Sequence, residues 1–205
     1  MPLTELSYVG SRPYIRGADL YTWFERQIVP SLASEQRPVT VRQFRLVREV
    51  KRDGAWALGA VDGASATLDV IDRAGASQRY SFCETGDVIV KRSPDIPSNV
   101  RELSQAGDFA GRAVLATPRE AADMLNGLIE ANKRLHTATL ERRGVASDRI
   151  RLIFIENMQI DAPSCDACSV EFRHLGERKA PDRIYTLNAV RIENTPADLR
   201  ICYSY

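Results

Sequence analysis

A weak internal repeat constrains the fold of this chain more than any other feature of its sequence. Two short motifs recur in the same order at a lag of 104–105 residues: Val9, Pro13 and Ala18-Asp19-Leu20 match Val114, Pro118 and Ala122-Asp123-Met124, and residues 76–82 match residues 180–187 with one insertion. The lag is half of the 205 residues. It predicts the duplication of one structural unit, with chance similarity between short segments as the alternative.

Each half has the same predicted order of elements, one helix and then several strands. The first half has a helix at residues 18–32, with the apolar stripe Leu20, Trp23, Phe24 and Ile28, and strands at 39–50, 56–61, 67–71, 79–83 and 88–90. The second half has a strand at 112–116, a helix at 118–141, and strands at 149–159, 168–175, 183–192 and 199–203. Because helices do not alternate with the later strands, the pattern is α+β and excludes a Rossmann fold or an α/β barrel.

A single helix wrapped by consecutive antiparallel strands is the hotdog arrangement, so we predict a double hotdog. Repeat 1 would span residues 1–92 and repeat 2 would span residues 112–205. Residues 93–111 are polar, include Pro94 and Pro97, and are predicted to form a linker. The alternative is another antiparallel α+β sheet with a small-molecule cavity.

The charge balance narrows the range of partners and locations. The chain has 28 Lys and Arg residues against 27 Asp and Glu residues, which argues against a general nucleic-acid binder or a basic membrane-surface protein. No apolar run approaches the ~18 residues that a membrane span needs, and the first residues lack the pattern of a secretory signal. We therefore expect a cytoplasmic protein with reduced cysteines.

Cys165-Asp166-Ala167-Cys168 is the only candidate metal-binding motif. A C-x-x-C pair supplies two of the four ligands of a zinc site, and His174 and Cys202 could supply the others. The sequence has no second C-x-x-C, and the alternation from Cys168 through Val170 to Phe172 predicts a strand that begins at a turn. We expect no metal and no cofactor, with a structural metal site or a redox pair at Cys165 and Cys168 as the alternatives.

The segment before the first helix resembles a known family. It reads Tyr8-Val9-Gly10-Ser11-Arg12-Pro13-Tyr14-Ile15-Arg16-Gly17. It is similar to the segment that enters the central helix of bacterial β-hydroxyacyl-(acyl carrier protein) dehydratases, His-Phe-Pro-Gly-Arg-Pro-x-x-x-Gly. Arg12, Pro13 and Gly17 match in place, and the resemblance covers about fifteen of the 205 residues. It implies the hotdog fold and an acyl-thioester ligand.

Two positions differ from the family where its chemistry takes place. The catalytic histidine of the family falls on Tyr8, and its catalytic acid falls on Thr22. Dehydration needs a base for the α-proton and an acid for the leaving hydroxyl, and a tyrosine with a pKa of ~10 is a poor base at neutral pH. The first half is therefore expected to keep an acyl-binding tunnel without the chemistry of the family.

If the site is active, other residues have to supply its acid and base. In hotdog folds the cleft lies where two central helices meet near their N-terminal ends. The catalytic candidates are Asp19 and Asp123, with Tyr14 or Tyr8 as hydrogen-bond donor, and the substrate-binding candidates are Arg12, Arg16, Gly17, Trp23 and Arg119, with Glu120 nearby. The alternative for both aspartates is stabilisation of a helix N-terminus through the helix dipole.

For His136 and for one basic cluster, a structural role is the first interpretation and a functional role is the second. His136 lies far along the second helix, where a satisfied surface or core residue is more common than a catalytic base. The basic cluster Arg42, Arg45, Arg48, Lys51 and Arg52 could contact phosphates of coenzyme A or a carrier protein, although a solvated strand edge is the more common role.

The resemblance and the repeat together predict a protein that binds an acyl thioester carried by coenzyme A or an acyl carrier protein. As an enzyme it would be a hydro-lyase or a thioesterase. The competing prediction is a non-catalytic ligand-binding or interaction module. The presence of Tyr8 and Thr22 where the family has its catalytic residues favours this prediction. Its oligomeric state would be a monomer or a homodimer of double hotdogs.

Overall fold

The structure is a computed structural model, and it divides the chain into two compact units, Met1–Pro97 and Ser98–Tyr205. It describes residues 6, 8, 9, 14–32, 39–72, 74–93, 98–116, 121–146, 150–159, 167–193, 195 and 199–205. Each unit has one long helix and an antiparallel set of strands.

The first unit contains helix α1 and six described strands. Helix α1 spans Gly17–Gln27 and is followed by a short 3-10 helix at Val29–Leu32. The strands are β1 (Tyr8–Val9), β2 (Thr40–Leu46), β3 (Arg52–Leu58), β4 (Ala66–Ile71), β5 (Ser77–Val88) and β6 (Arg92–Ser93). Helix α1 buries Leu20, Tyr21 and Phe24, which follow the helical spacing of three to four residues.

The strands of the first unit lie in the order β3-β5-β4-β2, and every neighbouring pair is antiparallel. The short strands β1 and β6 pair with each other in parallel. Strand β4 alternates buried and half-buried residues along its whole length, as expected for a strand with one face in the core. The core of this unit is aromatic, with Phe24, Phe44 and Phe82 fully enclosed.

Among its described residues, the second unit contains helix α2 and six strands. Helix α2 spans Ala121–Arg142. The strands are β7 (Val100–Gly107), β8 (Ala110–Ala116), β9 (Arg151–Gln159), β10 (Ala167–Lys179), β11 (Ile184–Ile192) and β12 (Leu199–Ser204). They lie in the order β9-β12-β11-β10-β8-β7, with antiparallel pairing throughout. Leu125, Leu128 and Leu135 of α2 are buried in the core of this unit.

The predicted α+β class is confirmed, and each unit combines one long helix with antiparallel strands in the hotdog manner. The aspartates of the sequence repeat take equivalent positions, since Asp19 and Asp123 are each the third residue of their helix. The strand orders of the two units differ. Strand β3 pairs with β5, which is the last long strand of its unit. Strand β10 pairs with β11, which directly follows β10 in the chain.

The structure corrects the predicted linker at residues 93–111. Residues 100–107 form β7, and β7 pairs with β8 from Val100 to Gly107 through a turn at Asp108 and Phe109. The polarity of this segment has a physical cause, because β7 is the outermost strand in its order and most of its side chains are exposed. A polar strand at a sheet edge was therefore mistaken for a connection.

Among the described residues, no helix is long and apolar enough to cross a membrane.

Candidate functional site

The start of helix α1 is enclosed, and its N-cap residue does not cap it through its side chain. Arg16 is the N-cap residue, with an extended backbone, and its side chain makes no capping hydrogen bond. Its carbonyl oxygen accepts the first helical hydrogen bonds, from the amides of Asp19 and Leu20. The amides of Gly17 and Ala18 precede those bonds, and both residues are buried. This helix start therefore presents amide donors inside the first unit.

Arg16 and Asp19 form a two-pronged ion pair across the first turn of α1. Arg16 Nε donates to Asp19 Oδ2 at 2.8 Å, and Arg16 Nη2 donates to Asp19 Oδ1 at 2.6 Å. Each side chain is only 21% exposed. The structure thus brings two predicted site residues together, and both carboxylate oxygens of Asp19 accept hydrogen bonds from the guanidinium.

Of the two positions where the dehydratase family has its catalytic groups, the structure describes the side chain of Thr22 and the strand pairing of Tyr8. The Thr22 hydroxyl donates to the carbonyl oxygen of Ala18 at 2.8 Å, so it is bonded within the helix. Tyr8 lies in β1, opposite Arg92. Tyr14 is half-buried beside Ile15, whose amide donates to Val50 O at 2.9 Å.

Two of the predicted substrate-binding residues, Arg12 and Arg119, lie outside the described residues, as do Glu120 and Cys165. Their assignment stays a prediction. The proposed meeting of the two helix starts in one cleft also stays a prediction.

Trp23 belongs to an aromatic layer under α1. Its ring contacts Phe82 edge-on, with ring centroids 6.1 Å apart. Trp56 contacts the same Phe82 ring from β3 at 5.4 Å, and it also contacts Phe24 at 5.4 Å. In the part of the chain that the structure describes, neither indole nitrogen, Trp23 Nε1 or Trp56 Nε1, has a hydrogen-bond partner, and both atoms are buried.

The Tyr21 hydroxyl is another enclosed polar group of α1. Tyr21 is 1% exposed, and its hydroxyl has no hydrogen-bond partner among the described residues. Burial, and then the charge of Glu25, raise the pKa of Tyr21 well above its usual value. The hydroxyl is therefore neutral, and it is a donor that lacks an acceptor.

In the second unit, Asp123 has a different environment from Asp19. It is half-buried in the first turn of α2, and its backbone carbonyl accepts a hydrogen bond from Asn99 Nδ2 at 2.8 Å. Asn99 also lies close to Gly127, where an added Cβ would approach Asn99 Oδ1 to 2.7 Å. The segment before β7 thus packs directly on the first two turns of α2.

Sequence reasoning missed a buried polar network around His136. Nδ1 of His136 donates to the carbonyl of Asn132 at 2.8 Å, because a carbonyl can only accept. Nε2 therefore accepts from the Thr186 hydroxyl at 2.5 Å. His136 is fully buried, and burial lowers its pKa to about 4. The prediction of a satisfied residue is confirmed, since a neutral imidazole with both nitrogens bonded has no proton-accepting site left.

Asn188 extends this network to the surface. Its Nδ2 donates to Phe109 O and to Asn132 Oδ1, both at 2.7 Å, and its Oδ1 accepts from His174 Nδ1 at 3.3 Å. The signal for it was present in the sequence. Thr186 and Asn188 alternate with half-buried neighbours along β11, at the positions that point into the core.

Phe109 is fixed above the network in an unusual conformation. Its φ is 55°, a value that is rare for a bulky residue. The Phe109 amide donates to Thr139 Oγ1 at 2.9 Å, and its ring lies 4.7 Å from the ring of His136. These contacts hold the turn between β7 and β8 against the second half of α2.

The basic cluster of the first unit is exposed, and one carboxylate organises three of its members. Glu84 accepts the backbone amides of Lys51 and Arg52 at 2.8 and 2.9 Å, and it lies 3.5 Å from Arg48. Burial alone would raise the pKa of Glu84, but these partners and a hydrogen bond from Ser65 lower it. The cluster therefore ties the β2–β3 connection to β5.

The candidate C-x-x-C motif is described only in part, because Cys165 lies outside the described residues. No group of three or more His, Cys, Asp or Glu side chains among the described residues is placed to hold an ion. Cys168 and Cys202 are buried, and burial raises the pKa of the Cys202 thiol to about 11. His174 bonds to Asn188 rather than to either thiol.

Removal of the hydroxyl group from two buried tyrosines is expected to have different effects on the free energy of unfolding. Tyr203 is as buried as Tyr21, but its hydroxyl donates to Ile129 O at 2.9 Å. Tyr203→Phe should cost about 1 kcal/mol of unfolding free energy, whereas Tyr21→Phe should cost nothing or add up to about 1 kcal/mol. Urea unfolding of both variants tests this. A cost for Tyr21→Phe as large as that for Tyr203→Phe would contradict the unpartnered hydroxyl.

Comparisons with known proteins agree with this architecture. No protein-family model and no curated protein matches the sequence. The dehydratase domain of RzxB from Pseudomonas fluorescens is 12% identical, with 99% of this chain and 91% of that chain covered at a TM-score of 0.50. A crystallization variant of the GphF dehydratase is 10% identical, with 98% and 88% covered at a TM-score of 0.53.

A third similar structure is a conserved protein of unknown function with a hot dog fold from Alicyclobacillus acidocaldarius. It is 10% identical, with 94% of this chain and 87% of that chain covered at a TM-score of 0.51. At these identities the likeness concerns the fold. The chain has the hotdog fold, and in structure it resembles hotdog dehydratase domains.

Proposed function

We propose that this chain binds an acyl thioester at the start of helix α1. The observation that supports the proposal is the enclosed helix start at Gly17, where the N-cap residue Arg16 makes no side-chain capping hydrogen bond. A helix N-terminus has a partial positive charge and amide donors that suit a carbonyl oxygen. Glycine has no Cβ to keep a ligand away from these donors. A thioester carbonyl would accept hydrogen bonds from the first amides of α1.

The ion pair beside this helix start suits binding. A lone carboxylate on Asp19 would repel the partial negative charge of a carbonyl oxygen. Arg16 compensates that charge through two hydrogen bonds. The thioester would then meet the helix amides without an opposing free charge.

The same contacts favour binding over dehydration at this site. Both oxygens of Asp19 accept from Arg16, and the Thr22 hydroxyl is bonded to Ala18 O. Neither residue is placed as an unengaged acid or base. A non-catalytic acyl-binding module is therefore our first proposal, and an enzyme that uses Asp19 or Asp123 as the acid or base is the alternative.

Thermal unfolding with a panel of ligands tests the binding. We expect octanoyl-CoA or octanoyl-(acyl carrier protein), at about 100 times its Kd, to stabilise the fold by about 2.7 kcal/mol. That corresponds to a rise in Tm of about 5–10 °C for a chain of this size. Free coenzyme A and octanoate are the controls. Equal shifts with free coenzyme A, or no shift with any acyl thioester, would refute the proposal.

Turnover of the same thioesters separates the module from the enzyme. If the chain is a non-catalytic module, we expect that it neither hydrolyses nor hydrates nor dehydrates any of these thioesters. If turnover is found, Asp19→Ala and Asp123→Ala together should abolish it, and retained turnover would exclude both residues as acid or base.

We also propose a cytoplasmic location, which the free thiols of Cys83 and Cys202 support.

A further inference from the structure

We propose that the acyl chain of the ligand has a second acceptor, a distal carbonyl group, which the indole N–H groups of Trp23 and Trp56 bind. The inference rests on the proposed acyl-thioester binding, because it concerns the far end of the same ligand. It defines a substrate class, the oxo-acyl thioesters with the oxo group remote from the thioester.

The two indoles are neighbours in the aromatic layer of the first unit. Trp56 and Phe82 face each other across β3 and β5, and Trp23 reaches the same Phe82 ring from α1. Both indoles contact Phe82 edge-on, at interplanar angles of 88° and 69°. Both indoles thus lie against one aromatic ring of this layer.

Both donors are enclosed, and neither has an acceptor in the described part of the chain. Trp56 is 8% exposed. A buried donor without a partner costs about 1–3 kcal/mol, and buried polar groups of folded proteins are paired in the large majority of cases. The acceptor of these two donors is therefore not among the described residues, and in this proposal the ligand supplies it.

The second unit shows that this chain pairs most of its buried polar groups. The Tyr203 hydroxyl and both nitrogens of His136 have partners, at 2.5–2.9 Å. The described exception there is Asn132 Nδ2, whose side-chain oxygen accepts from Asn188. The unpaired indoles of the first unit, like the Tyr21 hydroxyl there, thus differ from the pattern of the second unit.

The donor type selects the ligand chemistry. An indole nitrogen can donate and cannot accept, so the matching group is an acceptor oxygen. A carbonyl oxygen has two lone pairs and no hydrogen that needs its own acceptor. A saturated chain would leave both donors unpaired, and a site that binds an oxygen rejects an analogue without it.

The position of Trp23 on α1 places this acceptor away from the thioester. Trp23 is six residues after Gly17, which is about 9 Å along a helix axis at 1.5 Å per residue. The second oxygen therefore lies toward the end of a medium-length acyl chain, and not beside the thioester carbonyl that the start of α1 would bind.

Intrinsic fluorescence measures this directly, because Trp23 and Trp56 are the only two tryptophans. The probes are octanoyl-CoA, 3-oxooctanoyl-CoA, 7-oxooctanoyl-CoA and 7-hydroxyoctanoyl-CoA, titrated into the full chain. We expect 7-oxooctanoyl-CoA to bind about tenfold more tightly than octanoyl-CoA, with 3-oxooctanoyl-CoA close to octanoyl-CoA. We expect 7-hydroxyoctanoyl-CoA to lie between the two.

Three variants assign the effect to the indoles. Trp23→Phe and Trp56→Phe keep an aromatic ring and remove one donor each, so each should remove most of the preference for the 7-oxo ligand. Tyr80→Phe is the matched control, because Tyr80 contacts Phe24 in the same layer and its hydroxyl already donates to Gln78 Oε1 at 2.8 Å. Its preference should be unchanged when binding is followed by calorimetry in all variants.

Each outcome has a defined meaning. Equal affinity of the wild-type chain for octanoyl-CoA and 7-oxooctanoyl-CoA overturns this inference and leaves acyl-thioester binding intact. The same holds if the preference survives in both tryptophan variants. If no probe binds, the proposed function itself fails and this inference fails with it. The wild-type comparison stands even if a tryptophan variant does not fold.

Discussion

Replacing Gly111 by alanine is expected to destabilise the second unit by about 3 kcal/mol. Gly111 is buried in β8, opposite Gln105 of β7 and Phe172 of β10. A Cβ built there would lie 2.2 Å from the carbonyl oxygen of Ser104 and 2.7 Å from Leu135 Cδ2. The first contact is with backbone, so relief requires β7 to move away from β8. Equilibrium urea unfolding measures the loss.

Gly107→Ala is the matched control for this prediction. Gly107 ends β7, four residues before Gly111, and a Cβ there would have no atom within 4 Å. We expect its unfolding free energy to change by less than about 0.5 kcal/mol. If Gly111→Ala is as stable as Gly107→Ala, then β7 does not pack on β8 as described, and residues 100–107 would return to the role of a linker.

The wrong prediction at residues 93–111 identifies a part of the fold that amino-acid composition could not reveal. The long strands were predictable because their apolar residues alternate, as in β4, where Ala66, Leu68 and Val70 are all buried. Strand β7 has no such alternation, since its side chains are half-buried or exposed throughout. An outermost strand is stabilised by backbone pairing to a single neighbour, and that interaction leaves little signal in side-chain polarity.

The order of strands within each unit could not be predicted from the sequence pattern either. Local periodicity predicts that β3, β4 and β5 are strands, but it does not predict that β3 pairs with β5 rather than with β4. That pairing depends on contacts between residues far apart in the chain, such as Trp56 opposite Phe82. Only the tertiary structure distinguishes it from a simple meander.

The candidate site was predictable in part. The match at Gly17 and the helix that follows it located the start of α1, and the helical stripe located Trp23 and Phe24. Trp56 was not predictable as their partner, because it is 33 residues after Trp23 and reaches the same layer only through the pairing of β3 with β5. The Arg16–Asp19 ion pair follows from an i, i+3 spacing in the first turn, which alone does not distinguish a paired aspartate from a catalytic one.

Lowering the pH from 7 to 4 is expected to remove about 3 kcal/mol of stability through His136 alone. Burial lowers the pKa of His136 to about 4 in the folded chain, against an ordinary value of 6.5. The unfolded chain therefore takes up a proton as the pH falls through 6.5, whereas the folded chain does so only near 4. Stability is complete above the unfolded value and decreases between pH 6.5 and 4. Urea unfolding at a series of pH values measures this loss.

His136→Asn isolates the contribution of the imidazole, because the carboxylates that titrate in the same range are present in both proteins. The difference in unfolding free energy between wild type and variant should shrink by about 3 kcal/mol from pH 7 to pH 4. An NMR titration of the folded wild type gives an independent measurement, since His174 is the only other histidine and His174→Asn assigns the signals. A His136 resonance that titrates near pH 6.5 would show that the imidazole is open to water. The network of Asn132, Thr186 and Asn188 would then not be the closed core that its hydrogen bonds describe.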